Sequence, residues 1–509
     1  MLHLKSWQGG AQGYRALIIA AGSIFLALNI SACGQAGISL SPEEKAAQHL
    51  EQLYQQHAPA AQQCMQAIVS HIQDSTYADR MTGSHYRNGG AWRWMGSPSD
   101  IALGDALDSL LSSQIPAMGF SQQAFHLPAI HQQLAAMHQP DSVQDLPQVM
   151  AQLEADLTRA YLRYAIGQRF GFTTPKKLFG SSQYDIDIDQ ADSAFVHHAM
   201  AQLTDRETML SFLAEMEPQD SAYHQLKRQL TLDSTSEARN RTLCNMERLR
   251  WRDKNHAKLS DRYIFVNIAS QQVWAIGPDS IINMRICCGK PSTKTPLLSS
   301  AIHRIEVNPE WGIPQSIIRG EVSGHAGDSQ YFARRNYYVV HNGKQVDPGT
   351  LTRAQLASGQ YAVRQRSGAG NSLGRIIFRF PNRFSVYLHD TPSKGAFNND
   401  RRTVSHGCVR LQRPFDMAEF VLHDADPWKL DQMRLSMDLQ PKTDRGREYR
   451  RTHTGNIRLI NNTPVEPAMP VLIDYYTAYP NPKTGKIDIW GDPYSYDNII
   501  LKAIKPFLP

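Results

Sequence analysis

The segment 389-HDTPSKGAFNNDRRTVSHGCVR-410 holds one cysteine, Cys408, directly after Gly407 and two residues after His406. His389 stands nineteen positions upstream, at the end of the β-like run 384-FSVYLH-389. Three readings compete for Cys408: nucleophile, metal ligand or buried thiol. A thiolate needs an imidazole or another positive field beside it, and partial exposure. A histidine closing a strand can be held rigidly over a site. Gly407 lets the backbone turn tightly, so the N–H groups of Gly407 and Cys408 could converge on one oxygen. Asp390 could fix His389 through its side chain or its backbone. The generic reading is a Cys-His acyl-transfer site. No CxxC or HExxH spacing occurs, which argues against a zinc centre.

Outward from this segment, the chain divides by texture. Its 509 residues suggest several domains, and 41% hydrophobic residues suffice for real cores. The net charge of +6 is mild and its basic residues are scattered, which argues against nucleic acid as a partner. From about 41 to 253 the pattern is helical. Ser41 and Pro42 followed by glutamates mark a start, and amphipathic stretches recur at about 101–118, 141–166, 191–216 and 219–231. In the second of these, Leu153, Leu157, Ala160, Tyr161 and Tyr164 share one face. We expect a packed helical scaffold, with Tyr86, Trp92 and Trp94 as core aromatics rather than a carbohydrate platform. After 254, short β-branched and aromatic runs broken by Gly, Asn and Pro predict a β-rich domain.

The N-terminus reads as an export signal. Lys5 and Arg15 precede the apolar run Ala16–Ile30, too short to span a membrane comfortably. Small residues then lead into Cys33, the pattern of a bacterial lipobox, with ordinary cleavage near Ala32 as the alternative. The expectation is a periplasmic protein held at a membrane, the outer membrane of a Gram-negative cell, by lipid on Cys33. Five other cysteines remain, so at least one thiol stays free. Cys287 and Cys288 sit in a strand-like run and are expected to be buried thiols. Whether Cys64 pairs with Cys244 stays open.

His389 and Ser405-His406-Gly407-Cys408, with Arg410 just after, resemble the signature of the L,D-transpeptidase (YkuD-like) catalytic domain. YLHDTPSKGAF, GNSLGRIIFRFPN, GKPSTKTPLLSS and NPEWGIPQSI are similar to the larger periplasmic subfamily, and YRNGGAW and LTRAYLRYA match its scaffold more loosely. The resemblance implies an α+β protein. A signal peptide (1–33) precedes a mainly helical scaffold (41–253). A β-rich, sandwich-like catalytic domain (254–436) follows, with a mobile capping loop at about 312–370, and then a C-terminal extension (437–509).

The resemblance also implies a reaction. Cys408 attacks a peptidoglycan tetrapeptide stem at the diaminopimelate–D-Ala bond. A diaminopimelate amine of a second stem then takes the acyl group, giving a 3→3 cross-link. Alternatives are attachment of a lipoprotein lysine to the stem, hydrolysis of that link, or peptidoglycan binding without catalysis. His389 would be the base, His406 would steady the site, and Gly407 would help hold the oxyanion. Tyr387, Asp390, Ser405, Arg410 and Trp311 would shape the substrate pocket. Neither metal nor organic cofactor is implied, and other cell-wall enzymes are candidate partners. One departure stands out: MEPQDSAYHQLKRQL runs almost directly into SEARNRTLCNMERLRWR, which leaves no room for the subfamily's peptidoglycan-binding module.

Overall fold

The first helix begins where its capping residues lie. In the computed structural model, which describes residues 40–72, 76–254 and 261–509, Ser41 Oγ accepts the Glu44 N–H at 3.1 Å. The Glu44 carboxylate accepts the Ser41 N–H at 2.7 Å, and Pro42 opens the helix. The expected signal segment and Cys33 lie outside the described residues.

One unit of the chain comprises the residues up to Thr173, Gln190–Trp251 and Ile500–Pro509. Its helices match the periodic stretches closely: Ile101–Ala117, Leu146–Phe170 and Ser221–Leu232. The stretch 191–216 forms two helices, Ser193–Ala201 and Arg206–Met216, because the Asp205 side chain caps a fresh start. Helix Leu146–Phe170 is buried on nearly every side, not on one apolar face alone. Its polar face is buried because it is paired. Glu154 accepts from the Tyr86 hydroxyl at 2.6 Å and from the N–H groups of Arg93, Trp94 and Met95 at 2.8–2.9 Å. Trp94 Nε1 donates to Thr158 at 2.9 Å. Tyr86 and Trp94 are therefore core residues, and the YRNGGAWRWM segment is clamped to this helix through one carboxylate. Glu154→Ala would leave three backbone donors without their acceptor and the Tyr86 hydroxyl with Thr158 alone. We expect a loss of about 3–5 kcal/mol in a urea titration.

The other unit comprises Thr174–Asp189 and Arg252–Ile499. Its main strands are β1 (Tyr184–Asp185), β2 (Tyr263–Asn267), β3 (Gln272–Ile276), β4 (Ile281–Gly289) and β5 (Leu297–Val307). After a four-strand insertion come β10 (Ile376–Arg379), β11 (Leu388–His389), β12 (Thr403–Ser405), β13 (Val409–Leu411) and β14 (Asn462–Asp474). The sheet runs β1-β5-β10-β11-β13-β4-β3-β2-β14, and β12 pairs with β4. Strand β14 also pairs with β5, so the sheet curls until its two sides are stitched together. The domains are thus not consecutive along the chain. The stretch 437–509 is no separate extension, since β14 belongs to the main sheet and Ile500–Pro509 to the helical unit. A two-residue strand such as β1, inside a helical stretch, carries too little periodicity to be noticed in the sequence.

The insertion holds β6 (Trp311–Gly312), β7 (Tyr337–His341), β8 (Lys344–Val346) and β9 (Tyr361–Gln365), in the order β6-β9-β7-β8. The stretch expected as a capping loop is therefore a folded subdomain. Widely spaced apolar residues, among them Ile313, Ile318, Phe332, Val339, Leu356 and Val363, meet in a core of its own. No described helix is long and apolar enough to cross a membrane.

Candidate active site

Two adjacent short strands build the site. β11 and β13 run parallel, pairing Leu388 with Val409 and His389 with Arg410. The Val409 N–H donates to the Tyr387 carbonyl at 2.9 Å, which carries the pairing one residue further back. Side chains alternate along a strand. Leu388, Val409 and Leu411 turn into the core and are fully buried. The same alternation puts Tyr387, His389, Cys408 and Arg410 together on the opposite face.

Cys408 is half-buried, and its Sγ lies 3.8 Å from the Ser385 carbonyl. Burial pushes its thiol above the usual range, while the Tyr387 backbone, Arg410 and Arg379 pull the other way. At rest it is a thiol and needs a base. His389 is 4% exposed. Desolvation first, and Arg410 second, push its pKa down to about 4. At neutral pH the imidazole is uncharged and able to accept a proton. Its Nδ1 bonds the Asp390 carbonyl at 2.5 Å, so Nδ1 carries the proton and Nε2 remains as the basic nitrogen.

Asp390 holds the ring through its backbone. Its carboxylate is committed to the protein, accepting from Arg375 N at 2.9 Å, Thr391 N at 2.7 Å and Lys394 Nζ at 2.5 Å. Gly374 makes room for it. Gly374 has φ +65°, and a Cβ there would lie 2.4 Å from Asp390 Cγ. Gly374→Ala must displace Asp390 and, with it, His389. We expect the acylation rate to fall about 100-fold with the thiol still present, measured by stopped acylation and mass spectrometry.

The SHGC turn is fixed from inside. Ser405 Oγ donates to the Cys408 carbonyl at 2.6 Å and accepts the Gly407 N–H at 3.1 Å. That N–H is therefore not free to join the Cys408 N–H around an oxyanion in this conformation. Gly407 itself sits at φ +121°, a backbone region that favours glycine. The GKPSTKT loop supports the turn: Thr295 Oγ1 donates to the Gly407 carbonyl at 2.7 Å, and Thr293 Oγ1 to the Ser405 carbonyl at 3.1 Å. His406 turns outward, its Nε2 2.9 Å from the Glu321 carboxylate of the inserted subdomain. Both partners are exposed, so the contact contributes little stability. Trp311 pairs through β6 with β9 and packs on the subdomain's own core.

Arg379 was not foreseen. Its guanidinium lies over the Tyr387 ring, 4.6 Å from the centroid, and pairs with Glu306 at 2.8 Å. Arg379 Nε and Arg410 Nε are buried, and neither finds a hydrogen-bond partner among the described residues. Asn382 was also missed; it binds both ends of the 382–386 turn, where Ser385 takes φ +54°. No spacing signal marks these residues, because they reach the site from β10 and a turn. Cys287 and Cys288 are both fully buried, as β4 lies between β3 and β13 with β12 alongside. Burial pushes the Cys288 thiol up to about 12.

Residues 261–473 match the family profile of the L,D-transpeptidase catalytic domain (YkuD), and residues 82–230 that of the Scaffold domain. A Haemophilus influenzae relative with a provisional L,D-transpeptidase name is 26% identical over 356 residues. The match covers 68% of this chain and 66% of the relative, so the chain spans a little under two thirds of that protein's length. Among solved structures, the Ldtfm-avibactam carbamoyl enzyme aligns at 13% identity over 44% of this chain and 52% of that one, with a TM-score of 0.19. A mutant Enterococcus faecium L,D-transpeptidase aligns at 12% identity over 57% and 94%, with a TM-score of 0.21. Alignments at those scores carry no weight for the geometry above.

Proposed function

We propose that this chain, which carries a YkuD L,D-transpeptidase catalytic domain and a Scaffold domain, is a cysteine transpeptidase that forms 3→3 cross-links in peptidoglycan. The observation that carries the reading is the β11–β13 register, which sets a neutral imidazole and a protonated thiol on one face. His389 Nε2 takes the Cys408 proton as Sγ attacks the stem carbonyl. The carbon–nitrogen bond to D-Ala breaks, and His389 returns the proton to the departing amine. The thioester then waits for an amine of a second stem. That amine attacks, His389 takes its proton, and the proton returns to Sγ as the thiol leaves.

Arg410 and Arg379, each with a buried unpaired Nε, are suited to hold a stem carboxylate beside the cysteine. The Cys408 N–H supports the oxyanion. Gly407 joins it only if Ser405 Oγ releases its N–H when substrate binds. The inserted subdomain, touching His406 through Glu321, excludes water while the thioester waits. We also propose that lipid on Cys33 holds the protein at the periplasmic side of a membrane. Palmitate labelling that survives Cys33→Ala would overturn this.

Incubation with a purified disaccharide-tetrapeptide tests the central reading. Mass spectrometry should show a dimer lacking one D-Ala. Released D-Ala with an adduct but no dimer would assign the acceptor to another amine, such as a lipoprotein lysine, or to water.

A further inference from the structure

The helical unit contains a cavity of about 700 Å³ that the mechanism does not use. That size lies within the range of small-ligand sites. Its wall mixes polar side chains with apolar ones such as Ile68 and Ile72. Arg159, Arg163, His126, Gln148 and Gln152 line it, with the Phe507 ring as an apolar edge. None of the described residues lining it is an Asp or Glu.

The acids lie behind the wall. Buried Asp79 accepts from Arg163 Nη2 at 2.6 Å and from Arg159 Nε at 3.1 Å. Asp156, also buried, accepts from Gln152 Nε2 at 2.9 Å. Arg163 Nη1 donates to the Ala124 carbonyl, and Arg163 Nε is buried with no hydrogen-bond partner. Two guanidiniums are thus held in place from the rear, and no carboxylate is among the described residues lining the cavity. The tail supplies one wall: the Phe507 carbonyl accepts the Ser121 N–H at 2.7 Å, and its ring packs on Phe120, Phe125 and Phe172.

Fixed guanidiniums suit carboxylates, and glutamine amides match a peptide backbone that both donates and accepts. We propose that this cavity is a second binding site, for a short acidic peptide with a free carboxylate. Resting on the reading above, that peptide is a peptidoglycan stem. The site would then provide the substrate anchoring that a chain without a separate binding module otherwise lacks.

Titration calorimetry on the full chain bearing Cys408→Ala tests this. The probes are the disaccharide-tetrapeptide and its carboxyl-amidated form. Arg163 is tied into the buried network, so Arg163→Gln could fail to fold. Gln148→Glu is the cleaner variant. Gln148 is exposed in the first turn of its helix, where an acid is tolerated, and the change puts a negative charge at the cavity. Arg159→Gln is the companion.

We expect two binding events, one of them weakened at least tenfold by either variant and by amidation of the probe. A single event indifferent to both variants would overturn the proposal. So would amidated and free probes binding the second site equally. The two readings fail separately: absence of a Cys408 adduct in the unmutated chain would sink the transpeptidase, whereas a normal adduct with one binding event would sink only the cavity site.

Discussion

Cys408→Ala will remove the acyl adduct and lower product formation at least about 10⁴-fold, to the background of the uncatalysed reaction. The effect should be this large because no other thiol can substitute. The described residues hold five free cysteines. Cys244, Cys287 and Cys288 are fully buried, and burial raises the thiols of the last two. Cys64 is half-buried in the first helix of the helical unit. Cys287, paired with Arg410, shares the sheet face of His389 but is fully buried; Cys408 is the half-buried thiol on that face. Cys408→Ser is the sharper control. It keeps the turn, but its hydroxyl is a far weaker nucleophile, so an adduct should form very slowly if at all. Peptide mapping after incubation with the stem substrate should find the added mass on Cys408 alone. An adduct that persists in the alanine variant, for example on Cys64, would overturn the assignment.

That Cys408 and His389 would meet was legible from local geometry. Both lie in one stretch of chain, and a strand end followed by a tight glycine turn has few ways to fold. The helical half was legible for a related reason. Its periodicity is local, and the caps at Ser41 and Asp205 are written in adjacent residues. What stayed hidden depends on partners distant in sequence. Nothing near Glu154 announces that its carboxylate will be buried by Tyr86, Arg93, Trp94 and Met95. The inserted subdomain looked like a loop because glycines and polar residues dominate it locally. Its apolar residues are few per segment and become a core only when β6–β9 assemble.

The site shows the same division. Gly407 was read as an oxyanion donor because its N–H neighbours Cys408 in sequence. In the structure the Ser405 hydroxyl, two residues back, accepts that N–H. The glycine's firmer role is conformational: its φ of +121° turns the chain so that Cys408 enters β13 on the correct face. Asp390 similarly acts through its carbonyl, while its carboxylate supports the surrounding loop. Adjacency in sequence singled out these residues but did not reveal which of their atoms were already engaged.

The pH dependence of acylation should report His389 directly. Its pKa is pushed down to about 4, and the Cys408 thiol is pushed up. Between those limits the pair is neutral, S–H beside imidazole, and the rate should be flat. Below about pH 4 the imidazole gains a proton and can no longer accept one, so the rate should fall tenfold per unit. An acid limb near 6.5 would instead show a solvated ring and would overturn the buried-base assignment. His389→Gln should slow acylation by about 10²–10⁴-fold and erase the acid limb. The same group sets a stability profile. The unfolded chain binds a proton at His389 near pH 6.5, the folded one only near 4. The unfolded state therefore holds more protons in that window, and stability must fall as pH drops through it. The full loss is about 3 kcal/mol, complete below about pH 4. His389→Gln cannot gain that proton, so its urea midpoint should vary less between pH 7 and 4 than that of the parent. Two independent measurements, a rate and a stability, would then locate the same buried imidazole.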